Sequence, residues 1–118
     1  MLKRLSNSVR IYYPKLDKDK LVSFLKQRAE NLSKQLPIKT IVLFGSYATR
    51  RYTAASDVDV LAVVYGQYKG LYQKIHEGLG ISNLQLHLYT VDEYGKLKKN
   101  SPSFVREIKA KGILIFQA

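Results

Sequence analysis

Residues 43–60 read LFGSYATRRYTAASDVDV and hold the chain's chemistry-bearing pattern. Asp57 and Asp59 stand two apart at the opening of a run that continues Val-Leu-Ala-Val-Val, in a chain with only nine acidic residues. Paired carboxylates on an otherwise apolar strand need compensation, because each ionised group costs several kcal/mol to desolvate. Same-face residues of a strand lie about 6.5–7 Å apart, so both carboxylates are expected on one side, where they can converge on one or two cations. Oxygen-only ligation of this kind suits Mg²⁺ or Mn²⁺. Two such ions about 3.5–4 Å apart clamp the attacking and leaving oxygens in phosphoryl and nucleotidyl transfer. Gly45-Ser46 complements the pair. A glycine lets a phosphate approach the backbone. If Ser46 begins a helix, its hydroxyl and the first-turn N–H groups bind anionic oxygens. One strand end would hold phosphates and its neighbour the metals. The plainer reading of the acidic pair is a strand-initial turn, with Ser56-Asp57 capping the preceding loop.

The elements around this segment follow from periodicity. Residues 17–36 place Leu21, Val22, Leu25, Ala29, Leu32 and Leu36 at helical spacing, with Asp17 or Asp19 at the N-terminus and Pro37 as the stop. The D-x-D of Asp17 and Asp19 is therefore read as helix capping. Residues 38–44, IKTIVLF, form a β-branched strand, and 57–65, DVDVLAVVY, a central strand covered on both faces. A helix is expected over 67–79, with a Tyr68, Leu71, Tyr72, Ile75, Leu79 stripe and with Gly78 and Gly80 at its end. The Tyr68/Tyr72 pair reads as half-buried packing. Residues 84–89 alternate, with Leu84, Leu86 and Leu88 on one face and Gln85, His87 and Tyr89 on the other. His87 thus shares the face of Gln85, where the ordinary reading is a hydrogen-bonded packing residue. Thr90 and Glu93 have capping-box spacing ahead of a helix to about residue 99, whose first-turn charges are Asp92 and Glu93. Ser101-Pro102 opens a further helix that ends at Lys111-Gly112, and 113–116, ILIF, form a last strand. VRIYY at 9–13 reads as a short strand or extended arm interrupted by Pro14. Strands alternating with helices give an α/β or α+β sandwich with a mixed sheet of about four to five strands.

At 118 residues the chain is expected to form one domain spanning 1–118. No run of about 18 apolar residues exists, which excludes a membrane-spanning helix. The basic N-terminus leads into no apolar stretch of signal-peptide length, so the cytoplasm is the expected compartment. Without cysteine there is no disulfide or thiolate chemistry. The formal net charge is +11. Residues 1–36 carry nine Lys/Arg against three acids, residues 37–90 five against three, and residues 91–118 six against three. The excess is thus expected at the two ends, away from the acidic pair. Such a surface favours polyanions, RNA among them, or is simply a solvated Lys-rich exterior. Arg50 and Arg51 are either phosphate contacts or solvated loop charges.

The run G-S-Y-A, followed by S-D-V-D-V on the next strand, resembles the nucleotidyltransferase superfamily of the DNA polymerase β type. Within it the chain is most similar to the minimal nucleotidyltransferase domains of prokaryotes, which often pair with a HEPN-domain protein, some pairs being toxin–antitoxin systems. The likeness extends over the early helix, the LFGS turn, the SDVDV strand, the LYTVDEY segment and the closing basic helix and strand. It implies a nucleotidyltransferase fold and an NTP site, with ATP as the expected nucleotide. Gly45 and Ser46 would contact its phosphates, and Asp57 and Asp59 would be catalytic ligands of Mg²⁺ or Mn²⁺. The family's third carboxylate lies on a later strand, and the matching position here is Gln85, a neutral amide. Arg50 stands where the family pattern usually has glycine.

Two functions are carried forward. The first is a Mg²⁺-dependent nucleotidyltransferase moving an NMP to a hydroxyl acceptor, a partner-protein tyrosine or an RNA end, with a second chain supplying the acceptor pocket. The second is a weakened or inactive member of the same fold acting as an antitoxin or binding subunit. Oligomeric state is left open.

Overall fold

The computed structural model describes residues 4–5, 9–10, 17–49 and 56–118. Arg50, Arg51 and most of the expected VRIYY arm lie outside the described residues. Two short strands, β1 (Arg4–Leu5) and β2 (Val9–Arg10), pair antiparallel.

The main sheet has four strands in the order β5-β4-β3-β6. They are β3 (Ile38–Phe44), β4 (Val58–Val64), β5 (Leu84–Thr90) and β6 (Ile113–Gln117). β3 runs antiparallel to both β4 and β6, and β4 runs parallel to β5. A parallel pair needs a crossover, and α3 (Leu71–Leu79) provides it. The sheet is therefore mixed, as the sequence led us to expect.

Side-chain alternation sorts the sheet into two faces. Ile41, Leu43, Val58, Val60, Ala62, Val64, Leu84 and Leu86 pack against Leu21, Leu25 and Ala29 of α1 (Lys18–Ser33) and against Leu71, Ile75 and Leu79 of α3. The opposite face carries a smaller cluster, Leu61 and Val63 with Ile108, flanked by Val42, Phe44, Tyr89, Tyr94 and Phe104. Its cover is α4 (Val91–Asn100) and α5 (Pro102–Lys111). β4 is buried on both faces from Val60 onward, which explains its unbroken apolar run. Burying each such side chain stabilises the fold by roughly 1.5–3 kcal/mol.

The helix ends follow local chemistry. Asp17 caps α1 by accepting from the Lys20 amide at 3.1 Å, and Asp19 lies in the first turn. α1 ends at Ser33, earlier than the expected residue 36. The amides of Gln35 and Leu36 both turn back onto the Leu32 carbonyl, at 3.0 and 2.9 Å, and Leu36 precedes a proline, which disfavours helical backbone there. α3 begins at Leu71 rather than 67, because Gly70 sits at φ +90° and interrupts any helical path from the residues before it. Tyr68 therefore stands outside the helix, and Tyr68 and Tyr72, 45% and 48% exposed, are about half-buried as expected. The stripe that packs is Leu71, Ile75 and Leu79. Gly78 lets α3 approach α1 closely, since a Cβ there would run into the Leu32 side chain. Thr90 and Glu93 form the full capping box of α4. Pro102 occupies the first turn of α5, but the Ser101 side chain makes no capping bond.

Candidate active site

Phe44 ends β3 and Gly45 turns the chain at φ +76° into a single helical turn, α2 (Ser46–Thr49). The amides of Ala48 and Thr49 both close onto the Gly45 carbonyl, at 3.1 and 3.2 Å. Ser46 thus begins a helix, although one of only four residues. Tyr47 is fully buried and anchors the turn in the larger core.

On the next strand, Asp57 stands one residue before β4 and is exposed, while Asp59 lies within β4 and is partly buried. The premise that these carboxylates are buried is corrected here. No charged residue is buried among the described residues. The reason is that the α4–α5 cover rests on Leu61 and Val63 and leaves the leading end of β4 open.

Asp59 pairs in register with Phe44 on one side and Gln85 on the other. Its carboxylate folds back over the turn: a Cβ on Gly45 would lie 2.6 Å from Asp59 Oδ2. The other carboxylate oxygen, Oδ1, lies 3.4 Å from His87 Nε2. With its proton on Nε2, His87 donates to that carboxylate. The His87 ring also meets the Phe44 ring edge-on, with centroids 5.0 Å apart. His87 is thus the hydrogen-bonded packing residue expected of it, and its partner is the Asp59 carboxylate. The signal was present in the sequence, since the alternation of β5 put it on the site face.

Gln85 is exposed and directly opposite Asp59 across the parallel β4–β5 ladder. It can offer an amide oxygen and two N–H donors but no charge. Among the described residues, no group of three His, Asp or Glu side chains is placed to hold a metal ion together.

Basic residues from both ends of the chain reach the turn, contrary to the expectation that they lie away from it. Lys18 Nζ donates to the Ala48 carbonyl at 3.4 Å. Lys111, at the end of α5, lines a cavity of about 640 Å³ beside Gly45 and Ser46. Folding back of the terminal elements onto the sheet brings about both contacts.

The model of the polymerase beta nucleotidyltransferase family matches residues 26–118. The chain belongs to the polymerase β nucleotidyltransferase family. Its fold is that of a candidate nucleotidyltransferase from Sulfolobus solfataricus, with TM-score 0.56 and 17% identity over 85% of this chain and 83% of that one. A toxin–antitoxin structure with AMP-PNP overlaps at TM-score 0.49, with 19% identity, 86% of this chain and 74% of that one. No curated protein matches this member of the family in sequence. Among its described residues no helix is long and apolar enough to cross a membrane.

Proposed function

We propose that the chain transfers a nucleoside monophosphate from an NTP, with ATP the expected donor, to a hydroxyl acceptor. The observation that supports this reading is the contact between Asp59 and Gly45, which joins the carboxylate end of β4 and the phosphate turn after β3 into one site. The donor set fits a divalent cation: two carboxylates stand at a partly open position, and Mg²⁺ binds through one or two carboxylates with water and substrate phosphates completing its shell. Asp57 and Asp59 would hold Mg²⁺ or Mn²⁺, which when bound supplies positive charge to the phosphoryl oxygens.

The chain's own groups do the rest. Gly45 has no side chain to hold the triphosphate away from the backbone. The Ser46 hydroxyl donates to a phosphate oxygen. His87 keeps the Asp59 carboxylate aimed at the turn. The acceptor hydroxyl loses its proton toward the carboxylates, its oxygen bonds to the α-phosphorus, and the bond to the bridging oxygen breaks to release pyrophosphate.

The domain offers little room for an elaborate acceptor pocket, so a second chain is assigned that part. A HEPN-domain protein is the partner implied by the sequence resemblance, with one of its tyrosines or an RNA end as acceptor. The cytoplasm is the compartment we assign. The test is transfer of labelled AMP from ATP with Mg²⁺ or Mn²⁺, in the presence of the protein encoded beside this one. Absence of transfer, together with absence of metal-dependent NTP binding, refutes the reading.

A second reading rests on Gln85. A neutral amide directly opposite Asp59 leaves the site one carboxylate short, which favours a nucleotidyltransferase-fold antitoxin or binding subunit without turnover. Tight partner binding by a chain that transfers nothing supports this second reading.

A further inference from the structure

Asn83 lies in the turn between α3 and β5 and makes two hydrogen bonds to the chain around Asp57. Its side-chain amide donates to the Ser56 carbonyl, and its own carbonyl accepts from the Val58 amide at 2.9 Å. The Ser56 carbonyl belongs to the peptide before Asp57, and the Val58 amide to the peptide after it. We propose that Asn83 is the positioning residue of Asp57, holding the backbone on both sides of that carboxylate and so aiming it at the cation. The inference rests on the nucleotidyl-transfer reading, in which Asp57 and Asp59 hold that cation.

Peptide units are planar, so the φ and ψ of a residue set how its two flanking planes are turned about its Cα. With both planes tied to Asn83, the dihedrals of Asp57 are held and its side chain leaves the backbone in a fixed direction. Asp57 needs such a hold. It is exposed and stands one residue before β4, ahead of the β4–β5 ladder that opens with Val58 opposite Leu84. Asn83 is itself anchored, because Ile81 and Leu84 on either side of the turn are buried in the larger core. The orientation of its amide follows from its partners. The Ser56 carbonyl can only accept, so the NH₂ end faces it, and Oδ1 accepts from the Ser82 hydroxyl at 3.5 Å.

The rival reading is an asparagine that serves only its own turn. In that role the side chain bonds backbone groups a few residues away. The Asn83 amide instead bonds across 27 positions of sequence, to the residue before Asp57. Both carboxylates are thereby addressed from the β5 side, Asp57 through its backbone by Asn83 and Asp59 through its side chain by His87. A backbone held before the cation arrives needs no ordering when it binds. Groups that orient metal ligands in this way are worth about ten- to a hundredfold in metal affinity.

The test measures Mn²⁺ binding to the full chain by electron paramagnetic resonance, and the order of the Asp57 amide by nitrogen relaxation without metal. Asn83→Ala keeps the backbone bond to Val58 and loses the one to Ser56. It is expected to weaken Mn²⁺ about tenfold and to lower the Asp57 order parameter from about 0.85 toward about 0.6. The Asn83→Ala/Asp57→Asn double variant is expected to bind Mn²⁺ no more weakly than Asp57→Asn alone, because Asn83 acts through Asp57. Thr90→Ala, which removes the α4 cap at the far end of β5, is the control for lost stability. It is expected to melt below wild type with its Mn²⁺ affinity unchanged. Wild-type Mn²⁺ affinity or an unchanged Asp57 order parameter in Asn83→Ala overturns the assignment. So does an Asn83→Ala loss that persists in the Asp57→Asn background, or an equal loss in Thr90→Ala. Each of these results leaves the nucleotidyl-transfer reading standing. A wild-type chain that binds no Mn²⁺, alone or with a non-hydrolysable ATP analogue, overturns that reading and the assignment together.

Discussion

Asp59 Oδ2 occupies the space where a side chain on Gly45 would begin, 2.6 Å from the position of its Cβ. The turn and the carboxylate are thus one steric unit. Gly45→Ala is expected to fail twice over, through that collision and through a φ of +76° that costs an L-residue about 1–2 kcal/mol. Thermal unfolding is expected to drop by several degrees. Metal-dependent NTP binding is expected to weaken with it, because Asp59 must move.

Gln85→Glu places a carboxylate opposite Asp59 on the neighbouring strand. In chelator the variant is expected to melt below wild type, since like charges directly opposite destabilise a sheet by a few tenths of a kcal/mol to about 1 kcal/mol. Added Mn²⁺ is expected to reverse the order, and nucleotidyl transfer is expected to rise. Melting curves with and without the ion check the first part, and the labelled-AMP assay the second.

His87→Ala removes both the edge contact with Phe44 and the partner of Asp59. The ring contact is worth about 0.5–1.5 kcal/mol. A stability loss of that size, measured by urea unfolding, is expected together with weaker metal-dependent NTP binding. A stability loss without any change in binding would reduce His87 to packing.

Tyr94 belongs to the cluster under α4 and α5, and burial raises its pKa above the ordinary value. The neutral phenol is the favoured form in the folded chain, so the stability it contributes is intact below the unfolded pKa of about 10 and declines as pH rises through the folded value. Tyr94→Phe is expected to flatten that alkaline decline. Unfolding free energies measured from pH 8 to pH 11 check it, and equal slopes for the two proteins would contradict it.

Most of the architecture was legible because its elements are locally self-consistent. Thr90 and Glu93 form the capping box that their spacing announced, and the alternation of β5 gave the correct faces for Leu84, Leu86 and His87. Where reading failed, a backbone detail decided. Gly70 at positive φ shortened α3 and left Tyr68 outside it. The exposure of Asp57 was equally hidden, since it depends on how far α4 and α5 extend across the sheet. Long-range folding also brought Lys18 and Lys111 to the turn, which no local pattern announces. That the G-S turn and the D-x-D strand end lie together was foreseeable in outline from the strand–turn–strand pattern. That Asp59 rests on Gly45 and is held by His87 required the three-dimensional register of three strands.

The central claim is that Asp59 and the Gly45 turn form a metal-dependent NMP-transfer site. It is tested most directly by comparing wild type with Asp59→Asn in labelled-AMP transfer from ATP, with Mg²⁺ or Mn²⁺ and the neighbouring encoded protein present. Asp59 is not buried, so the variant is expected to fold with a stability within about 0.5 kcal/mol of wild type. The expected result is label transfer by wild type and a loss of about a hundredfold or more in the variant. Equal transfer by the two proteins, or no transfer and no metal-dependent NTP binding by wild type, would contradict the claim.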